Sequence, residues 1–177
     1  MRAIQHDDRP VVLDADALNC MAHMPDLFRD FHAAAVLTPH PGEFRRLCAG
    51  LGLKGDLGLD ASRERACEQL AQRLGRIVVL KGAGTVVSDG LRTWTCSAGH
   101  PCLATAGTGD VLTGVIAGLI SQFVPHTLDL FDAARVGVWV HATAGEQWAA
   151  THDASAGLLA MELADLVPGV MESLRPQ

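Results

Sequence analysis

The chain has 177 residues, enough for one domain with a buried core; 49% of them are apolar and 19% charged. A net charge of −6, scattered Lys and Arg and few aromatics argue against a nucleic-acid face, which needs a basic stripe. The polar start MRAIQHDDRP and the interrupted apolar runs argue against a secretory leader and a membrane span. Five cysteines, an odd number without a CxxC pair, point to a reduced, cytoplasmic protein that uses thiols as small hydrophobes.

In chain order, residues 11–13 form an apolar run that turns polar at DADALN, a buried strand ending in a loop. Residues 33–37 repeat the form, followed by the loop Thr38-Pro39-His40-Pro41 and a helix from Gly42 with Glu43 in its first turn. The stretch DASRERACEQLAQRLG carries Ala66, Leu70, Ala71 and Leu74 at helical spacing, with Gly75 as its cap. RIVVLKG is another buried strand, and TVVSDGLRTWTCS a hairpin turning through Ser88-Asp89-Gly90. Helices are expected over 110–122, 129–150 and 155–166. Trp139 and Trp148 read as packing, and no metal-ligand spacing or Gly-x-Ser-x-Gly elbow occurs. Buried strands alternating with helices predict an α/β fold, a mostly parallel sheet covered on both faces. Ligands of such sheets bind beyond the carboxyl ends of the strands.

Four loops lie at such ends. In LATAGTGDVLTG, small residues enter a helix, whose free N–H groups suit a phosphate. Asp110 either caps that helix or serves as a general base for a hydroxyl attacking the phosphate. In LKGAGT, Lys81 and Thr85 flank glycines that let the backbone run close to a ligand; a plain strand-ending turn is the alternative. TPHPGE holds His40 on a stiff loop, for ligand contact or simply as a Pro-rich helix start. In DADALN, Asp14 and Asp16 would share one side of an extended segment, to orient a hydroxyl or hydrated magnesium, unless Asp16 caps a helix.

DADALN, LTPHPGE, VVLKGAGT and LATAGTGDVLTG, in this order, resemble the ADP/ATP-dependent NAD(P)H-hydrate dehydratases of the ribokinase-like superfamily. The resemblance covers most of residues 11–118. It implies a three-layer α/β/α fold and a lyase that repairs hydrated NADH and NADPH (NADHX and NADPHX). ADP or ATP, with Mg2+, would phosphorylate the ring hydroxyl of the (S)-epimer, and phosphate would then be lost. By that resemblance Asp110 is the catalytic base and touches the substrate, together with His40, Asp16 and Asn19. Lys81, Gly82, Ala83, Gly84, Thr85 and Gly109 line the nucleotide site, and Ala106, Gly107, Thr108 and Gly109 form the anion hole. Glu43 stands where kinase relatives carry a magnesium-organising glutamate, with His40 replacing their asparagine. A homo-oligomer is expected.

Two departures stand out. Gly99-His100-Pro101 replaces the family's usual Gly-Asn-Pro. Family domains also carry about a further hundred residues before the DADA strand, on the scale of ordinary domain sizes. Residues 1–177 are therefore read as the C-terminal portion of one such domain, N-terminally truncated: a fragment, a mis-started gene or a degenerate copy. Alternative functions are a ribokinase-like kinase of a vitamin-precursor alcohol, hydroxymethylpyrimidine or thiazole, and a non-catalytic nucleotide-binding remnant.

Overall fold

A computed structural model describes residues 9–24, 31–53, 62–124 and 126–175. The polar start at 1–8 and residues 60–61 of the expected DASRERA helix lie outside the described residues. One sheet has the strand order β1 (Val11–Leu13), β2 (Ala35–Leu37), β3 (Ile77–Leu80), β4 (Val86–Ser88) and β5 (Thr93–Thr95). The first three pair in parallel and the last two return as an antiparallel hairpin, so four of the five point the same way. The helices are α1 (Asp16–Ala22), α2 (Pro41–Gly50), α3 (Arg63–Leu74), α4 (Thr108–Phe123), α5 (Leu130–His152) and α6 (Ala160–Ser173). Among the described residues no helix is long and apolar enough to cross a membrane.

Successive strand side chains point to opposite faces. Leu37, Leu80 and Val86 meet Leu18 of α1, Phe44 of α2 and Leu70 of α3 on one face. Val36, Val79 and Val87 meet Ile116 of α4 and Val138 of α5 on the other. The expected three layers result, and α6 adds its own contacts to α4 and α5 through Leu163 and Val170. Local chemistry sets the ends: Ser62 accepts from the Arg65 N–H to start α3, and Asp129 from the Asp132 N–H to start α5. The hairpin turns where expected, with Asp89 accepting from the N–H groups of Leu91 and Arg92 and Gly90 at φ 90°.

Several expectations are corrected. β2 starts at Ala35 rather than residue 33, although Ala33 is still fully buried. Helix α2 begins at Pro41, one residue before Gly42, because a proline suits the first helical position. Asp14 and Asp16 do not share an extended face: β1 stops at Leu13, Ala15 turns at φ 50°, and Asp16 is already helical. Helix α4 starts at Thr108, with Gly107 in the cap position, so Asp110 is its third residue and not its cap. The last helix runs over Ala160–Ser173 instead of 155–166, passing through Pro168. Its Glu162 carboxylate accepts from the Leu159 N–H, and Leu163 and Val170 are fully buried, which carries the helix past the proline.

Ile116 sits fully buried where α4 crosses Gly137 of α5; a Cβ on that glycine would come within 2.7 Å of the Ile116 side chain. Ile116→Ala therefore opens a cavity in a close-packed seam and is expected to cost roughly 2–5 kcal/mol. Urea denaturation reads this as a lower midpoint at unchanged slope.

Candidate active site

The strands that point the same way end at one edge, and hydrogen bonds tie their ends together. The Thr38 N–H donates to the Leu13 carbonyl at 3.0 Å and the Lys81 N–H to the Pro39 carbonyl at 2.9 Å. Lys81 Nζ reaches one Asp14 carboxylate oxygen at 2.7 Å, and the Thr113 hydroxyl of α4 donates to the other at 2.8 Å. Burial alone would push the Asp14 carboxyl up. The bonds from Lys81 and Thr113, the lysine's charge and the Ala15 N–H outweigh it and hold the group below the usual carboxylate range.

Against this triangle stands the first turn of α4. Gly107 takes the left-handed φ of 86°, and no side chain caps the helix. The N–H groups of Ala106, Gly107, Gly109 and Asp110 have no acceptor among the described residues, while that of Thr108 leans back to Thr105 at 3.4 Å. The Thr108 hydroxyl is shared between the Leu103 and Thr105 carbonyls at 2.8 and 2.7 Å, fixing the turn. A Cβ on Gly109 would lie 3.5 Å from Lys81 Nζ, which puts the ammonium beside the free helix end. Unpaired N–H groups, a helix dipole and a lysine together make an anion site.

The turn and the lysine open onto a cavity of about 520 Å³. Lys81, Gly82, Ala83, Gly84 and Thr85 line one side, Thr108 and Gly109 another, and Leu112, Val138 and Ala142 form an apolar wall. The Thr85 hydroxyl donates to the Gly82 carbonyl at 2.9 Å and closes the glycine turn. The volume and the mix of apolar wall with a few polar groups fit a small-molecule site the size of a nucleotide.

Of the expected substrate residues, Asp110 is exposed in the first turn of α4, with no hydrogen-bond partner among the described residues. His40 caps α2: its Nδ1 accepts from the Gly42 N–H at 2.9 Å, and its half-exposed ring keeps Nε2 toward Glu43 at 3.5 Å. The buried Glu43 closes this capping box by accepting from the His40 N–H at 2.8 Å. Both its oxygens thus face His40, and among the described residues no cluster of three acidic, His or Cys side chains could hold a metal. Asn19 accepts from Arg46 at 2.9 Å, and Asp16 stands exposed at the start of α1; like Asp110 and His40, neither lines the cavity.

Sequence reasoning missed the groups that set these loops from behind. His141 of α5 lines the cavity, with its Nε2 2.8 Å from the Thr108 carbonyl, so Nε2–H donates. Burial pushes its ring below the ordinary histidine range, against the Thr108 bond, and the Lys81 charge adds to the shift. Glu146, one turn further on, accepts from the Gly99 N–H at 2.8 Å and anchors the cavity rim. Five residues apart in a long helix, they match neither an i,i+3 nor an i,i+4 pair and carry no motif.

A sequence profile for NAD(P)H-hydrate dehydratase matches residues 1–168. The chain belongs to the NAD(P)H-hydrate dehydratase family. Among similar proteins, the bifunctional NAD(P)H-hydrate repair enzyme of Vibrio cholerae is 44% identical over 165 residues, 93% of this chain and 30% of that protein. The ADP-dependent (S)-NAD(P)H-hydrate dehydratase of Neisseria meningitidis is 40% identical over 164 residues, 90% of this chain and 52% of that protein. The crystal structure of the Bacillus subtilis ADP/ATP-dependent NAD(P)H-hydrate dehydratase, grown with ATP and Mg2+, superposes with a TM-score of 0.80 at 32% identity. It covers 97% of this chain and 57% of the Bacillus one. A hydroxyethylthiazole kinase from Pyrococcus horikoshii, 20% identical with a TM-score of 0.72, shares the fold alone. The chain thus spans between about a third and about half the length of these dehydratase relatives.

The Asp14 triangle carries a pH signature. Its folded pKa lies below the ordinary 3.8, so its stabilisation is present above that value and is lost as the pH falls through the folded pKa. Asp14→Asn is expected to be less stable than wild type at neutral pH, and the gap should narrow once the pH drops below 3.8. Urea midpoints measured across that range check it; a gap independent of pH contradicts it.

Proposed function

We propose that the protein takes ADP or ATP in the 520 Å³ cavity and uses it to dehydrate the (S)-hydrates of NADH and NADPH, with Asp110 as base. One observation carries the reading: Lys81 Nζ and the unpaired N–H groups of Gly107 and Gly109 converge on the helix turn that bears Asp110. A cation and N–H donors stabilise a transferring phosphoryl group, and a carboxylate in the same turn can take the proton of the attacking hydroxyl.

The substrate's ring hydroxyl oxygen bonds to the terminal phosphorus as the bond to the shortened nucleotide breaks, and Asp110 takes the hydroxyl proton. Phosphate next leaves the ring carbon with the bonding pair, and a proton on the neighbouring ring carbon passes to water, its bonding pair restoring the double bond. Lys81 and the anion hole hold the charge of the transferred group throughout. Gly82, Ala83, Gly84 and Thr85 take the rest of the nucleotide. His40, after the end of β2, joins Asp110 as an assigned contact for the hydrated nicotinamide, with Asp16 and Asn19 of α1, after the end of β1, as further ones. Magnesium fits here as an ion carried by the phosphate oxygens and water, a common mode for Mg2+, and it would neutralise phosphate charge. Glu43 would act on it only through His40.

A cytoplasmic setting is supported by five free cysteines. Self-association is supported by β1, an edge strand among the described residues, and by the exposed side chains of Leu159 and Met161.

Asp110→Asn keeps the shape of the turn and removes the proton acceptor. Turnover is expected to fall about a hundredfold or more, while the melting temperature and nucleotide affinity hold. Wild-type turnover in that variant would contradict Asp110 as base. Product analysis separates this reading from a kinase of a vitamin-precursor alcohol. Return of dihydronicotinamide absorbance with free phosphate marks the dehydratase; a stable phosphorylated alcohol marks the kinase. Nucleotide binding without either product would leave a binding remnant.

A further inference from the structure

Lys81 is not the whole of the positive charge behind the glycine turn. Its ammonium is already matched by Asp14 at 2.7 Å. Arg63, the first residue of α3, stands on the far side of the same backbone. One of its terminal guanidinium nitrogens donates to the Leu80 carbonyl at 3.3 Å and to the Lys81 carbonyl at 3.2 Å. A Cβ on Gly82, which lines the cavity at φ 144°, would come within 3.0 Å of that nitrogen. The guanidinium therefore lies one backbone layer behind the cavity wall, and glycine at position 82 suits both its close approach and the φ of 144°.

Arg63 has no carboxylate at ion-pair distance among the described residues. The adjacent Glu64 gives its oxygens to the Ser62 and Thr95 hydroxyls at 2.9 and 3.0 Å. Among the described residues, Arg63 Nε is buried without a hydrogen-bond partner. A half-buried cation with an orphaned donor is costly unless an anion comes near it. On the cavity side of Gly82, that anion would be a polyphosphate.

We propose that Arg63 is a positioning residue of the nucleotide site, aiming the turn at residues 81–84 through two carbonyls and placing a positive charge behind it for the phosphates. The inference rests on the nucleotide reading above and adds a cation that acts through backbone rather than by touching the ligand. Arginine suits this place because one terminal NH2, its two hydrogens fixed in the guanidinium plane, serves both carbonyls while the group keeps its charge; a lysine ammonium is a rotating point charge without that fixed plane.

Calorimetry with ADP and with AMP on wild type, Arg63→Gln and Arg63→Lys tests it, alongside thermal melts. Wild type should bind ADP more tightly than AMP. Arg63→Gln should weaken ADP by about tenfold, the scale of one charge-assisted contact, and AMP by less, so the ratio between them shrinks. Arg63→Lys keeps the charge and loses the fork; it should weaken both nucleotides alike and keep the ratio. An unchanged ADP affinity in a folded Arg63→Gln, or in Arg63→Lys should the glutamine variant fail to fold, would reduce Arg63 to a prop of α3 and overturn the proposal. Wild type that binds neither nucleotide would overturn the nucleotide reading itself, and this inference with it.

Discussion

The ion pair between Asp14 and Lys81, 2.7 Å apart, is the contact on which the rest of the site depends. It joins the end of β1 to the end of β3, and Thr113 brings α4 to the same carboxylate. At an effective dielectric of about 20, two unit charges at that distance attract by roughly 6 kcal/mol in gross terms. Most of that is offset by desolvation, since both side chains are largely buried. The net return is geometric. Lys81 cannot swing into solvent, so its ammonium stays beside Gly109 at the open end of α4. The strain of Ala15, a non-glycine residue at φ 50°, sits one position from this pair. Its N–H in turn donates to the Asp14 carboxylate at 2.9 Å, so the unfavourable backbone is fixed by the same group.

A second consequence is the division of labour between front and back. The two loops that border the cavity at residues 82–85 and 106–109 are built of small residues: glycines, alanines and two threonines. The groups that hold them come from α3 and α5, and His141 among them lines the cavity itself. Arg63 grips the carbonyls that precede the glycine turn, His141 the carbonyl of Thr108, and Glu146 the N–H of Gly99. Small residues allow backbone to approach a ligand, but they cannot aim themselves. Long polar side chains from neighbouring helices supply the aim. Family membership, carried by the match over residues 1–168, agrees with that design.

Much of this was legible in the sequence, for physical reasons that can be named. Short apolar runs such as IVVL bury on both faces, so the strands were plain, and Ser88-Asp89-Gly90 could hardly be anything but a turn. Glycine and lysine at strand ends marked the cavity wall. Helix boundaries were less legible. The last helix was expected to end at residue 166, yet Val170 is fully buried and the helix runs on through Pro168 to Ser173. DADALN read as extended because its alternating acids mimic a strand, whereas a single left-handed-φ alanine turns it into a helix. The least legible features were long-range pairs. Nothing local connects Asp14 to Lys81 or to Thr113, 67 and 99 residues away. Arg63 and His141 carry no motif and declare themselves only through what they touch.

The central claim is that a phosphate rests on the free first turn of α4, beside Lys81. Amide chemical shifts of the nitrogen-labelled protein, followed during an ADP titration, test it most directly. The account predicts the largest changes at the N–H groups of Gly107, Gly109 and Asp110, with a second set along residues 82–85. Saturable binding whose shifts leave that turn and residues 82–85 untouched would contradict it.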